Sequence, residues 1–312
     1  MRLISAIALL FAFSSFLSGQ YATTPEQLKS HVYYLASDSL LGRGFGTPQG
    51  DMAARYIARE LEKAGVEPLN GSYFHTFNHR QGILNIPGTN VAGVVPGSDP
   101  DLKEEYIVIG AHYDHLGWKI SDEDTVVYNG ADDNASGTAA MIEIGRNLAS
   151  GPERPGRSVI LVAFDGEESG LIGSKRFIED ETVPLHRIKL MFSLDMVGMY
   201  AAHDGLDLYG VKLLHDAEEL IGRVANEYGI EVRKANSTVG QRTDTAPFGK
   251  LNIPAVHAFT GTESPYHKPE DVREELDYQG MSQVTNYLSQ TTLHLSKTED
   301  ISELDGLREG ET

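Results

Sequence analysis

Three short apolar runs constrain this chain more than any other feature. Tyr106-Ile107-Val108-Ile109-Gly110-Ala111, Ser158-Val159-Ile160-Leu161-Val162-Ala163-Phe164 and Met191-Phe192-Ser193-Leu194 are nearly continuous in hydrophobic residues and rich in β-branched ones. A strand with one wet face would alternate polar and apolar residues. These do not, so each reads as a strand buried on both faces. Helical patterns separate them, roughly Ala135 to Ala149 and Ser169 to Phe177. Strands joined through helices pair in parallel, so the fold class expected is α/β, with a mixed, largely parallel central sheet flanked by helices. Val211 to Tyr228 and Tyr278 to Leu295 read as further covering helices.

Upstream, Thr24-Pro25-Glu26 opens a helix to Ser37, with Thr24 as N-cap and Pro25 at the first helical position. The Gly-rich loop LLGRGFGTPQG follows, and helical spacing resumes from Asp51 to Ala64. Gly82 to Asn90 reads as a Gly/Pro/Asn loop. The organisation expected is a leader over 1–19, a helical extension over 20–90 packed on a catalytic core over 91–298, and an acidic, flexible tail over 299–312. The leader rests on Arg2, the apolar run Leu3 to Phe13 and the small residues Ser14, Ser15, Ser18 and Gly19, an order that predicts export to the periplasm or medium. Elsewhere no apolar stretch approaches the ~20 residues that spanning a bilayer requires.

Composition narrows the chemistry. There is no cysteine among the 312 residues, which excludes disulfides and thiolate metal sites, so any transition metal must be held by His, Asp and Glu. A formal net charge of −19 argues against a nucleic-acid partner, which would require clustered Lys and Arg.

In open α/β sheets ligands bind beyond the carboxyl ends of the strands. The first run ends in HYDHLG, where Asp114 is spaced to orient the His112 imidazole, with His115 as a rival ligand lacking such a partner. The second ends in FDGEESG. Adjacent side chains diverge, so of Glu167 and Glu168 one can hold a metal while the other serves as a base. The third ends in SLDMVG, placing Asp195 where an unpaired carboxylate would be costly. NGADDNASG, between the first two, sets Asp132 and Asp133 among small residues. PYHKPEDV holds His267 beside Tyr266, whereas His257, inside IPAVHAF, reads as a core residue. Singly, each motif is compatible with a solvated turn or a helix cap. Jointly, His112, Asp132, Glu168, Asp195 and His267 form a hard nitrogen-and-oxygen set suited to two zinc ions, with Glu167 spare.

The ordered set HYDHLG, NGADDNASG, FDGEESGLIGS, SLDMVG and PYHKPEDV, from about Leu40 to about Val272, resembles the co-catalytic zinc aminopeptidases, which include bacterial secreted leucyl aminopeptidases and aminopeptidase Y. The resemblance implies a three-layer α/β sandwich, two zinc ions and peptide substrates with a free N-terminus. It implies that Asp132 bridges the metals, that His112 and Asp195 complete one site and Glu168 and His267 the other. Glu167 would be the general base, Asp114 the partner of His112, and Tyr266 a donor to the tetrahedral intermediate. A cis peptide is expected at Asp132-Asp133. Thr245 and Glu263-Ser264-Pro265 stand where the family commonly has histidine, which bears on substrate preference. Glutaminyl cyclases, which resemble the same fold but use one zinc, and non-catalytic ectodomains like that of the transferrin receptor are the competing readings. The intact Asp132-Asp133-Asn134 run and the full ligand set favour the peptidase.

Overall fold

A computed structural model describes residues 22–121, 124–299 and 301. The expected leader, and nearly all of the expected tail, lie outside them.

In chain order the elements are α1 (Pro25–Leu35), α2 (Pro48–Lys63), β1 (Glu67–Pro68), β2 (Phe74–Gln81), β3 (Leu84–Val95), β4 (Tyr106–His112), β5 (Trp118–Ser121) and β6 (Asp124–Val127). There follow α3 (Gly137–Ser150), β7 (Ser158–Phe164), α4 (Ile172–Glu179), β8 (Ile188–Leu194), α5 (Tyr200–His203), β9 (Leu206–Tyr209), α6 (His215–Tyr228), β10 (Val232–Ala235), α7 (Thr245–Gly249), β11 (Ala255–Phe259) and α8 (Tyr278–Ser296). A sheet runs in the order β1-β3-β7-β4-β8-β11-β9-β10, with β2 paired to β3. Its centre, β7-β4-β8-β11, is parallel throughout, while β3 joins β7 and β9 joins β11 antiparallel. A small hairpin, β5-β6, stands apart.

The continuous apolar runs divide between two faces. On β7, Val159, Leu161 and Ala163 enter one core cluster with α1, α2, α3, α6 and α8, while Ile160, Val162 and Phe164 enter a second. In the second, Phe164 meets Phe177 of α4 and Phe248 of α7 edge-on or tilted. Period-two alternation thus feeds two hydrophobic layers, which is why no polar residue interrupts the strand. At the N-terminus, Thr24 closes a capping box on α1 with Gln27, and Thr47 caps α2.

Two expectations are corrected here. Gly82 to Asn90 is largely strand: β2 and β3 form a long hairpin from Phe74↔Val91 to Gln81↔Leu84, with Pro87 opposite Asn78. The glycine at 88 sits under Phe77, where a Cβ would come within 2.4 Å of the ring, so the residue that looked like a loop former is there for clearance. The helical extension of 20–90 therefore carries strands, and its boundary falls inside β3, which runs on into the sheet.

Candidate metal centre

Every candidate site residue lies at the end of a parallel strand, just beyond one, or on the loops near those ends. His112 is the last residue of β4, Glu167 and Glu168 follow β7, Asp195 follows β8, and His267 comes after β11. Asp132 and Asp133 belong to an irregular turn, Ala131–Ser136, ahead of α3.

This turn overturns one assignment. Asp133, not Asp132, faces the histidines. Its Oδ1 lies 3.3 Å from His112 Nε2, and its Oδ2 lies 3.2 Å from His267 Nε2. His112 Nε2 is also 3.4 Å from Asp195 Oδ1, and His267 Nε2 is 3.1 Å from Glu168 Oε2. Asp132 points away: its Oδ1 accepts from the Gly198 amide at 2.8 Å. The physical reason is the backbone. Asp271 accepts from the amides of both Asp132 and Asp133, at 2.9 and 3.1 Å, which fixes the direction of the turn. Asn134 ties it to β8 through Leu194 O and the Met196 amide. The cis peptide is Asp133-Asn134, one bond later than expected.

The residues present fit a metal. Two groups, His112-Asp133-Asp195 and His115-Asp133-Glu168, each bring ligand atoms within 4.8 Å of one another, and they share Asp133. Buried atoms in and beside them have no aligned hydrogen-bond partner among the described residues: Glu168 Oε1, Asp195 Oδ1, His267 Nε2 and both nitrogens of His115. Unpartnered buried polar atoms are rare in native proteins, and a cation shared among them supplies the missing interaction. His112 donates through Nδ1 to the Asp114 carbonyl at 3.1 Å, which leaves Nε2 bare for a metal.

Asp114 acts differently from the expectation. Its carboxylate stands 3.7 Å from His112, too far for a hydrogen bond. Instead it accepts from the amides of Glu167 (2.9 Å) and Glu168 (3.3 Å), so it is the main-chain carbonyl that orients the imidazole and the carboxylate that shapes the glutamate turn.

The electrostatics are those of crowded, buried carboxylates. Burial, reinforced by Asp244, Asp195 and Asp114 and opposed by His112, pushes Glu167 up to about 10. Burial and Asp271 push Asp132 up to about 8. Burial opposes ionisation of Asp133, but His112 and His267 outweigh it and hold its carboxyl far below the usual range. Burial likewise opposes protonation of His112, and the facing Glu167, Asp133 and Asp195 overcome it, raising the ring well above 6.5. Glu167 and Tyr266 line the same cleft as His112, Asp133, Glu168 and Asp195, with Tyr266 stacked on His267 at 3.8 Å between ring centroids. Asp132 is absent from that lining. His257 sits buried on β11 and reaches the cleft wall.

Residues 90–292 match peptidase family M28. The chain belongs to this family. Among curated relatives, the uncharacterised protein YfbL of Escherichia coli (strain K12) is 27% identical over 294 residues, covering 84% of this chain and 86% of its own. Aminopeptidase YwaD of Bacillus subtilis (strain 168) is 28% identical over 236 residues, covering 70% of this chain but only 47% of its own, so this chain spans about half of that relative. Among solved structures, BSAP, a zinc aminopeptidase from Bacillus subtilis, superposes with a TM-score of 0.70 at 17% identity, over 90% of this chain and 98% of its own. Glutaminyl cyclase from Porphyromonas gingivalis gives 0.66 at 17% identity, over 86% and 97%. These likenesses show the zinc-peptidase fold for the M28 chain.

His115, the rival ligand in the sequence, does reach the centre, and two further contributors, Asp271 and Arg43, were not legible as such. His115 stands 2.9 Å from Glu168 through Nδ1, placed there by a parallel bridge between its own segment and Gly44. Asp271 lies in the same PYHKPEDV run as His267, and Arg43 in the glycine-rich loop LLGRGFGTPQG. Nothing local distinguishes Asp271 or Arg43, because each acts on residues remote in sequence.

Proposed function

We propose that this M28 chain is an exported aminopeptidase that holds two zinc ions and hydrolyses the N-terminal peptide bond of peptides. The observation that carries the reading is Asp133, whose two carboxylate oxygens face two separate histidine and carboxylate groups, the arrangement a shared ligand between two cations requires. His112 and Asp195 would hold one ion, Glu168 and His267 the other, with Asp133 common to both; His115 is within reach of the second. Zinc bound there supplies Lewis acidity, which lowers the pKa of a water from 15.7 to about 7 in well-studied sites.

In this reading Glu167 takes the proton of the attacking water as its oxygen bonds to the scissile carbonyl carbon, and returns that proton to the amine nitrogen as the C–N bond breaks. Two cations beside it would offset the burial and the carboxylates that push Glu167 up, leaving it ionised to take that proton. Tyr266, in the cleft wall, would donate from its hydroxyl to the carbonyl oxygen. Export rests on the sequence of residues 1–19, and N-terminal sequencing of the secreted chain tests it.

Cleavage of a panel of aminoacyl anilides, with and without a chelator, tests the activity. Chelator-sensitive release from free-amine substrates is expected. Chelator-insensitive cleavage, or none on any free-amine substrate, would overturn the reading. Closure of N-terminal glutamine with one zinc per chain would replace it with the cyclase reading.

A further inference from the structure

Arg43 is fully buried, yet among the described residues no carboxylate pairs with it. Its guanidinium is spent on main-chain carbonyls: Nε donates to Tyr113 O at 2.7 Å, one terminal nitrogen to Leu35 O and Asn129 O at 2.6 and 2.7 Å, and the other to Gly130 O at 2.9 Å. Burying a guanidinium is costly unless its donors are met, so such a residue persists where the geometry it enforces matters. The carbonyls it collects are informative. Tyr113 lies between His112 and Asp114, and Asn129 and Gly130 lead directly into Asp132 and Asp133. Leu35 ends α1.

The surrounding segment repeats the pattern. The His115 amide donates to Arg43 O at 3.4 Å and the Gly117 amide to Gly42 O at 3.3 Å. At Gly42, held at φ +69°, a Cβ would come within 2.3 Å of Tyr128 O and 2.4 Å of Gly117 O, so the segment lies flush against both loops. The charge also sits among Asp271, Asp114, Asp133 and Glu168, where it offsets their mutual repulsion.

We propose that Arg43 is a positioning residue for the metal centre, clamping the loop that carries His112 and His115 at a fixed separation from the turn that presents Asp133. It makes the N-terminal extension part of the zinc site. The inference rests on the two-zinc reading above and deepens it. Lysine cannot replace the clamp, because a single ammonium cannot reach carbonyls spread over a planar fork.

The test is zinc affinity by competition with a chelator, measured on the full chain for wild type, Arg43→Lys and a control, Arg157→Lys. Arg157 is also buried, but it binds Glu105, Thr298 and Glu299, none of which belongs to the site. Groups that orient metal ligands typically contribute 10–100-fold to affinity, and a loss of that order is expected for Arg43→Lys alone. Both variants should melt earlier than wild type, so stability alone does not separate them. Equal zinc affinity in wild type and Arg43→Lys would overturn the inference, as would an equal loss in Arg157→Lys. If Arg43→Lys does not fold, hydrogen exchange on the wild type serves. Zinc should then protect the amides of residues 41–44 together with those of 113–117, and protection that omits 41–44 refutes the clamp. A wild-type chain that takes up no zinc would instead remove the function on which the inference rests.

Discussion

At the scale of single residues, the centre turns on which of two adjacent aspartates faces the histidines. Asp133 touches both, and Asp132 is anchored to Gly198 and lies outside the cleft wall. Asp133→Asn should therefore abolish zinc uptake, measured by metal content after dialysis. Asp132→Asn should retain zinc and lose at most about 1–3 kcal/mol of stability, since its buried carboxyl already favours the neutral form. The reverse pattern would return the bridging role to Asp132. Glu167→Gln should keep its zinc while turnover falls by roughly 10²–10⁴-fold, the usual contribution of a general base. Unchanged turnover would remove Glu167 from the chemistry.

At the scale of elements, three helices are joined by a buried polar cluster remote from the cleft. His31 of α1 contacts Tyr56 of α2 at 2.8 Å through Nδ1 and Glu143 of α3 at 3.1 Å through Nε2. Arg146 donates to the other oxygen of Glu143 at 2.7 Å. Burial opposes ionisation of Glu143, but His31 and Arg146 prevail and hold its carboxyl below the ordinary 4.5. A carboxyl depressed in the folded state stabilises above its unfolded pKa, and that contribution disappears as pH falls below 4.5. Glu143→Gln should thus lower the melting temperature more at pH 7 than at pH 3. The same loss at both values would show that its charge does not link α1 to α3. At the start of α1, Thr24→Ala removes the capping box and should cost about 1 kcal/mol by denaturant titration.

For the whole molecule, binding and folding are linked, because ligands from β4, β7, β8 and their loops converge only in the folded chain. Zinc at about 100 times its dissociation constant should add about 2.7 kcal/mol of stability, seen as a melting temperature that climbs with zinc and falls with chelator. A melting temperature indifferent to zinc would show that the folded chain binds none. Among the described residues, no helix is long and apolar enough to cross a membrane. The polar cleft is built on a sheet whose two faces are both covered, so the strand ends are where polar chemistry can gather.

How much of this the chain announces by itself follows from what is local. The double-faced strands β4, β7 and β8 are legible because burial on two sides leaves an unbroken apolar run, and the helices between them because their period is 3.6. The positions of His112, Glu168 and Asp195 at strand ends follow from that topology, whereas His267 lies on a loop beyond β11. The β2-β3 hairpin was not legible, since glycine and proline mark loops unless a ring such as Phe77 needs the space. Nor was the choice between Asp132 and Asp133. Residue type and spacing determined that a carboxylate from NGADDNASG would enter the centre. Which one does so depends on the direction of a turn fixed by Asp271, Asn134 and Arg43, through contacts that exist only once segments far apart in sequence have packed together.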